Sequence, residues 1–181
     1  AILFIQDQLH LDAWGQGWVV SSVLLGAVAG AAIIGPLSDR YGRRRLILLA
    51  SIIFFVGAIG SGIASGVAVL IISRLILGLG VGTASALIPT YLSEMSPVSK
   101  RGFITGLFQL MVMTGILLAY VTNYSFAGFY TGWRWMLGIA ALPSAILFIG
   151  ALILPESPRY LVKVGRPEVA RRYLSAMYKG D

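Results

Sequence analysis

The stretch GPLSDRYGRRRLI, Gly35–Ile47, places five charged side chains between two runs of apolar residues. Four of these charges are arginines and one is an aspartate. Each neighbouring run has about 20 residues, which is the length that a helix needs to cross about 30 Å of hydrocarbon. The stretch therefore indicates a short polar connection between two membrane-spanning helices.

The composition of the whole chain agrees with this interpretation. The 181 residues are 57% hydrophobic and 12% charged, and the mean hydropathy is +0.85. Soluble domains carry about 25% charged residues. The sequence thus predicts an all-α integral membrane protein. Its complete apolar runs are Trp18–Leu37, Leu46–Ser65, Val67–Leu92, Phe103–Thr122 and Trp133–Leu154.

The apolar runs also predict how the chain is organised. We interpret residues 1–5 as the end of a first transmembrane helix that is truncated in this sequence, and residues 6–17 as an extracellular loop. Residues 18–154 then hold transmembrane helices two to six, with a kink at Pro143 because proline removes a backbone donor. Residues 155–181 begin an intracellular helical segment, which includes an amphipathic helix from Pro167.

The basic residues are distributed unevenly between the two sides of the predicted membrane domain. Twelve of the 14 lysines and arginines follow the second, fourth and sixth spans. By the positive-inside rule this side is cytoplasmic. The net charge of +7 is then a topology signal and not a sign of nucleic-acid binding, and we expect a multi-pass protein of the cell membrane.

Two polar residues within the predicted spans are the strongest functional candidates, Arg74 and Gln109. Arg74 costs about 2.5–3.5 kcal/mol to insert at a helix centre, so it should face a cavity and pair with a carboxylate, or else snorkel to the interface. No acidic residue lies inside the five complete spans. Gln109 shares one helix face with Thr105, Tyr120 and Asn123. Its amide suits a hydroxyl-rich ligand or a hydrogen bond to another helix.

With these residues in view, the chain resembles the sugar porter branch of the major facilitator superfamily. Five segments match motifs of that family in the right order, namely GPLSDRYGRRR, RLILGLGVG, PTYLSEMSPVSKRG, GWRWML and PESPRYL. The resemblance implies a twelve-helix transporter of two six-helix halves, each built from inverted repeats. This chain would be the N-terminal six-helix bundle, with its first helix truncated.

The resemblance also implies a function. It predicts secondary active uptake of a monosaccharide, hexose or pentose, by alternating access and sugar–proton symport. Gln109 would bind the sugar, and Arg74 would pair with a first-helix aspartate in proton-coupled members. The expected partners are the monosaccharide, membrane lipid and the C-terminal six-helix half. No enzyme activity, no metal, no cofactor and no nucleic acid are expected, with the proton as coupling ion.

The same resemblance assigns the charges on the cytoplasmic side to a gate. In the family these positions form ion pairs that bridge helix ends and hold the gate closed in the outward-open state. Gly35 lies on the same helix face as Asp39, and we expect it to leave room for a neighbouring helix. The predicted gate residues are Asp39, Arg43, Arg44, Glu94, Arg101, Glu156 and Arg159.

Three alternatives stay open at this level. A facilitative sugar uniporter also fits an intramembrane arginine, and a related carrier for a polyol, an organic acid or a cation shares the PESPR motif. A channel or a membrane enzyme is the third, but the sequence offers neither a pore-lining ring nor a clustered catalytic set. The only histidine, His10, lies in the predicted outer loop with Asp7 and Asp12.

Overall fold

The computed structural model describes residues 12–126, 128–129 and 132–178. In this part of the chain the secondary structure is helical, without a strand. Five segments are long and apolar enough to cross a membrane. They are α1 (Ala13–Tyr41), α2 (Arg43–Gly62), α3 (Val67–Met95), α4 (Arg101–Phe126) with the 3₁₀ turn Val98–Lys100 before it, and the pair α5 (Gly132–Gly138) and α6 (Ala141–Ile153).

Two short helices, α7 (Pro158–Lys163) and α8 (Pro167–Tyr178), follow the last span. The predicted amphipathic helix from Pro167 is confirmed as α8. Residues 1–5, which we predict to end a first transmembrane helix, lie outside the described residues. The loop predicted at residues 6–17 does so in part.

The first described helix begins earlier than the sequence pattern suggested. We predicted a loop as far as residue 17, but α1 starts at Ala13. The reason is Asp12, whose side chain accepts a hydrogen bond of 2.8 Å from the backbone N–H of Gly15. This N-cap satisfies one of the free donors of the first turn, so the helix extends beyond its apolar run.

The predicted interruption near Pro143 is present in the last span. The backbone turns at Ile139 and Ala140, and α6 then starts two residues before the proline. Proline is tolerated in the first turn of a helix, where its missing N–H has no helical acceptor. The sixth span is therefore two helices joined at this turn.

Glycines set the close approach of α1 and α3. A methyl group built at Gly26 or Gly30 of α1 would overlap the carbonyl of Leu75 or Leu79 in α3. The reverse holds for Gly78 and Gly82 of α3, whose added methyl groups would overlap carbonyls of α1. Small residues allow this backbone contact in a lipid solvent, which supplies no hydrophobic drive between helices.

The remaining packing places α3 at the centre of the described bundle. Gly80, between the two glycines that face α1, lies against the backbone of Ala50 and Phe54 in α2. The helix α6 packs against α2. In contrast, α4 has no buried residue among those described. The structure thus consists of a tightly packed α1–α2–α3 unit with α4 loosely attached.

Candidate functional site

A buried ion pair lies on the side of the predicted gate, where α1 and α3 end and α2 begins. Arg43 Nη2 lies 3.2 Å from Glu94 Oε1, and the two side chains are only 6% and 8% exposed. Arg43 Nη1 also donates to the Ser38 carbonyl at 3.0 Å, and the Ser157 hydroxyl donates to Glu94. A buried pair needs such further hydrogen bonds to offset the loss of hydration.

Exposed charges extend this pair towards solvent. Arg43 Nη2 lies 3.0 Å from Asp39 Oδ1, and Lys163 Nζ lies 3.5 Å from Asp39 Oδ2. Arg159 Nη1 is 3.8 Å from Glu94 Oε1. We call these five residues, Asp39, Arg43, Glu94, Arg159 and Lys163, the charge cluster. It joins α7 to the ends of α1, α2 and α3, and its exposed pairs are individually weak.

Glu156 has a different role from the predicted ion pair. Its Oε1 accepts hydrogen bonds from the backbone N–H groups of Arg43 and Arg44, at 2.9 and 3.0 Å. These N–H groups lie in the first turn of α2 and have no acceptor within that helix. Glu156, which follows α6, therefore caps α2 although it is more than 100 residues away in sequence. Gly42 has a φ of +92° and lies against the Glu156 carboxylate, so only glycine fits there.

Arg44 caps α6 in return. Its Nε donates to the Ala151 carbonyl at 3.1 Å and its Nη2 to the Leu152 carbonyl at 2.6 Å. Carbonyls in the last turn of a helix lack partners, and a cation there is favourable. Glu156 therefore caps the start of α2, and Arg44 caps the end of α6. Together the two residues connect these helix ends.

Two residues on this side are placed differently from the expectation. Arg101 is exposed, its Nε donates to the Ser96 carbonyl at 3.4 Å, and it makes no ion pair within the described residues, so its assignment to the gate stays a prediction. Gly35 has no atom within 4 Å of an added methyl group, so it provides no helix contact. The buried face of α1 runs through Ile34 and Ser38, and Gly35 is about 100° away from it.

Arg74 lines a cavity of about 890 Å³ between α3, α4 and the α5–α6 pair. The cavity walls are mostly apolar, and Asn123 and Thr122 of α4 supply the other polar side chains. The Nε of Arg74 is buried without a hydrogen-bond partner in the described part of the chain. An unpaired polar group of this kind is costly, and an acceptor for it would have to come from outside the described residues.

Gln109 lies within a membrane-spanning helix but is not buried in the described structure. It is exposed on α4, as are Thr105 and Tyr120 of the same predicted polar face. Of this face, Asn123 lines the cavity with Arg74, and Gln109 does not. The structure therefore separates the two residues that were expected to act within the membrane.

Three contacts on the gate side were missed by the sequence analysis. Ser157 donates to Glu94, Tyr91 donates to the Pro155 carbonyl at 2.8 Å, and Tyr160 donates to the Arg40 carbonyl at 3.3 Å. All three residues belong to quoted motifs, Tyr91 to PTYLSE and the others to PESPRYL. The only feature in the sequence that indicated these hydrogen bonds was the hydroxyl group of each residue.

The comparisons with known proteins agree with this geometry. Residues 6–181 match the family model described as "Sugar (and other) transporter". The chain belongs to this family. It is 68% identical over 181 residues to the D-xylose transporter of Levilactobacillus brevis, with 100% of this chain and 40% of the relative covered.

Two further relatives extend the comparison. The chain is 49% identical over 173 residues to the major myo-inositol transporter IolT of Bacillus subtilis, covering 93% of this chain and 36% of the relative. The solved structure of the proton:xylose symporter XylE bound to 6-bromo-6-deoxy-D-glucose matches with a TM-score of 0.90 and 29% identity. This match covers 97% of this chain and 44% of that one.

These matches confirm the fold class and the family of the transporter chain. It is an all-α membrane protein of the major facilitator fold, and it matches the N-terminal part of its relatives. The chain spans about 40% of the length of the D-xylose transporter. Its relatives are named as transporters and not as enzymes.

Proposed function

We propose that the full-length protein takes up a monosaccharide by alternating access, with proton symport. The observation that carries this proposal is the 68% identity to a D-xylose transporter over the whole of this chain. The named proton:xylose symporter among the structural matches supports the coupling ion. The basic side is cytoplasmic in this proposal, because it carries most of the lysines and arginines.

The charge cluster fits the needs of a carrier with two states. Such a carrier requires contacts that are present in one state and absent in the other. Glu94 and Arg43 form a buried centre, whereas Asp39, Arg159 and Lys163 are more than half exposed on their side chains. In this proposal the cluster holds α7 against the bundle in one state and releases it in the other.

The exposed face of α4 suits contact with the C-terminal half and with the sugar. Gln109 lies on this face, on a helix without buried residues in the described structure. A polar group at membrane depth must find a partner in protein, water or ligand. We assign Gln109 to the sugar, since its amide can donate to one hydroxyl and accept from another.

Replacing Gln109 by alanine tests this assignment. Loss of its hydrogen bonds should weaken sugar binding about tenfold without loss of expression. The measurement is the dissociation constant of D-xylose for the purified full-length transporter. Leu110→Ala is the matched control, since Leu110 is exposed on the same helix and offers no hydrogen bond. Unchanged sugar affinity in Gln109→Ala would remove Gln109 from the site.

Arg74 carries the proposal of proton coupling. Its buried Nε, which has no partner among the residues that the structure describes, suits a carboxylate that is protonated and deprotonated during the transport cycle. Arg74→Ala should abolish sugar-driven proton uptake into proteoliposomes while sugar counterflow persists, whereas Arg74→Lys should keep part of the coupling. Robust sugar-driven proton uptake in Arg74→Ala would contradict the assigned role. Counterflow without proton uptake in the unmodified protein would favour the uniporter.

A polyol carrier is the second candidate, because one relative at 49% identity is named as a myo-inositol transporter. Competition distinguishes the two substrate classes. Under our proposal D-xylose or D-glucose inhibits labelled sugar uptake more strongly than myo-inositol does. Stronger inhibition by myo-inositol would assign the carrier to polyols.

A further inference from the structure

The three arginines that follow Gly42 face three different environments. Arg43 is buried beside Glu94, and Arg44 caps α6. Arg45 is exposed, and its side chain has no hydrogen bond or ion pair within the described residues. Helix rotation of about 100° per residue explains the separation. The side chain of Arg45 is therefore a cation outside the charge cluster.

Other arginines near this side share that property. Within the described ranges, they too are exposed and have neither an ion pair nor a hydrogen bond to their side chains. In α8 the only acidic residue is Glu168. Together with Arg45 we call these residues the free arginines, and the set is Arg45, Arg166, Arg171 and Arg172.

The fold places the free arginines near the ends of the membrane helices. Arg45 lies in the first turn of α2. Tyr160 of α7 donates to the Arg40 carbonyl in the last turn of α1, and Lys163 of α7 pairs with Asp39. The next helix, α8, packs on α7. This arrangement holds α7 and α8 beside the ends of α1 and α2.

The helix α8 has two distinct faces. Val169 and Tyr173 lie on one face and are 39% and 38% exposed, whereas Arg171 and Arg172 lie away from it. Ala170, next to the apolar face, is fully buried. A short helix with partly exposed apolar residues and arginines on its polar face is typical of helices that lie in a membrane interface.

We propose that the free arginines bind the phosphate groups of anionic phospholipids. Charge complementarity carries the choice of partner, since the acidic side chains of the charge cluster are already paired with Arg43, Arg159 and Lys163. Arginine forms planar, bidentate contacts with phosphate. This inference goes beyond sugar transport, and its test does not depend on the substrate or on the coupling ion.

Native mass spectrometry of the full-length transporter in detergent tests the proposal. The protein is titrated with phosphatidylglycerol or with phosphatidylcholine, and bound lipids are counted. Replacing the four free arginines by glutamine should lower the affinity for phosphatidylglycerol by about tenfold or more. The affinity for phosphatidylcholine should stay the same. The difference in phosphatidylglycerol affinity between the unmodified protein and the glutamine variant should become smaller at high salt, because salt screens exposed charges.

Two further variants make the test sharper. Replacing the same four residues by lysine keeps the charge and should retain most of the phosphatidylglycerol binding. Glu168→Gln removes the acidic residue of α8 and should strengthen this binding, with no risk to the charge cluster. Equal phosphatidylglycerol binding by the unmodified protein and the glutamine variant would overturn the proposal, and would assign the free arginines to another part of the transporter.

Discussion

Glu94→Gln is expected to release α7 from the ends of the membrane helices. Glu94 is the buried acceptor of Arg43 and Ser157 and also faces Arg159. Removing one partner of a buried pair costs about 3–5 kcal/mol, because the other charge stays buried. The penalty should be large here, since the Nε of Arg43 already lacks a partner among the described residues.

Hydrogen exchange in the full-length transporter measures this release. The N–H groups of Leu161 and Val164 bond to the carbonyls of Ser157 and Tyr160, and they exchange when α7 opens. A loss of about 3 kcal/mol predicts exchange that is faster on the order of 100-fold. The peptide covering residues 157–164 is therefore the reporter.

Asp39→Asn is the matched control on the same cluster. Its side chain is 55% exposed, as is that of its partner Lys163 at 57%, whereas its other partner Arg43 is buried. Exposed ion pairs are weak, so exchange in the same peptide should rise only a few-fold, with membrane topology unchanged. If Asp39→Asn opened α7 as much as Glu94→Gln, the buried pair would not be the centre of the cluster.

Gly82→Ala is expected to prevent the close packing of α1 and α3. An added methyl group at this position would overlap the Ala27 carbonyl, which is backbone and cannot rotate away. Overpacking costs about 1–3 kcal/mol or more when the backbone must shift. The full-length variant should give a lower melting temperature and less monodisperse protein in size-exclusion chromatography.

Gly106→Ala serves as the control for this substitution. Gly106 also lies inside a membrane-spanning helix, but no atom lies within 4 Å of its added methyl group. Alanine also has the higher helix propensity, so the melting temperature should stay the same or rise. A Gly82→Ala protein as stable as Gly106→Ala would show that the α1–α3 contact is looser than the structure indicates.

The spans and the family motifs were predictable from the sequence, whereas the orientation of single side chains was not. Apolar runs predicted each described membrane-spanning segment, and only ends set by local capping differed, as at Asp12. Gly78, Gly80 and Gly82 belong to the quoted motif RLILGLGVG, but the motif does not show that Gly80 faces α2 while the other two face α1.

The charges show the same limit. The motif identified Arg43 and Arg44 together as gate residues, but neighbouring positions on a helix point in different directions. One is thus part of a buried pair and the other caps α6. Arg101 was assigned to the gate, yet within the described ranges its side chain bonds to the Ser96 carbonyl and not to an acidic residue. These differences depend on which helices meet, which is tertiary information.

The central claim is that this chain forms part of a saturable sugar carrier. Uptake of labelled D-xylose into proteoliposomes that contain the full-length transporter tests it most directly. We expect uptake that saturates with D-xylose concentration, is inhibited by competing sugars and increases when the external side is made more acidic. Uptake that rises linearly with concentration and is unaffected by other sugars would contradict a carrier.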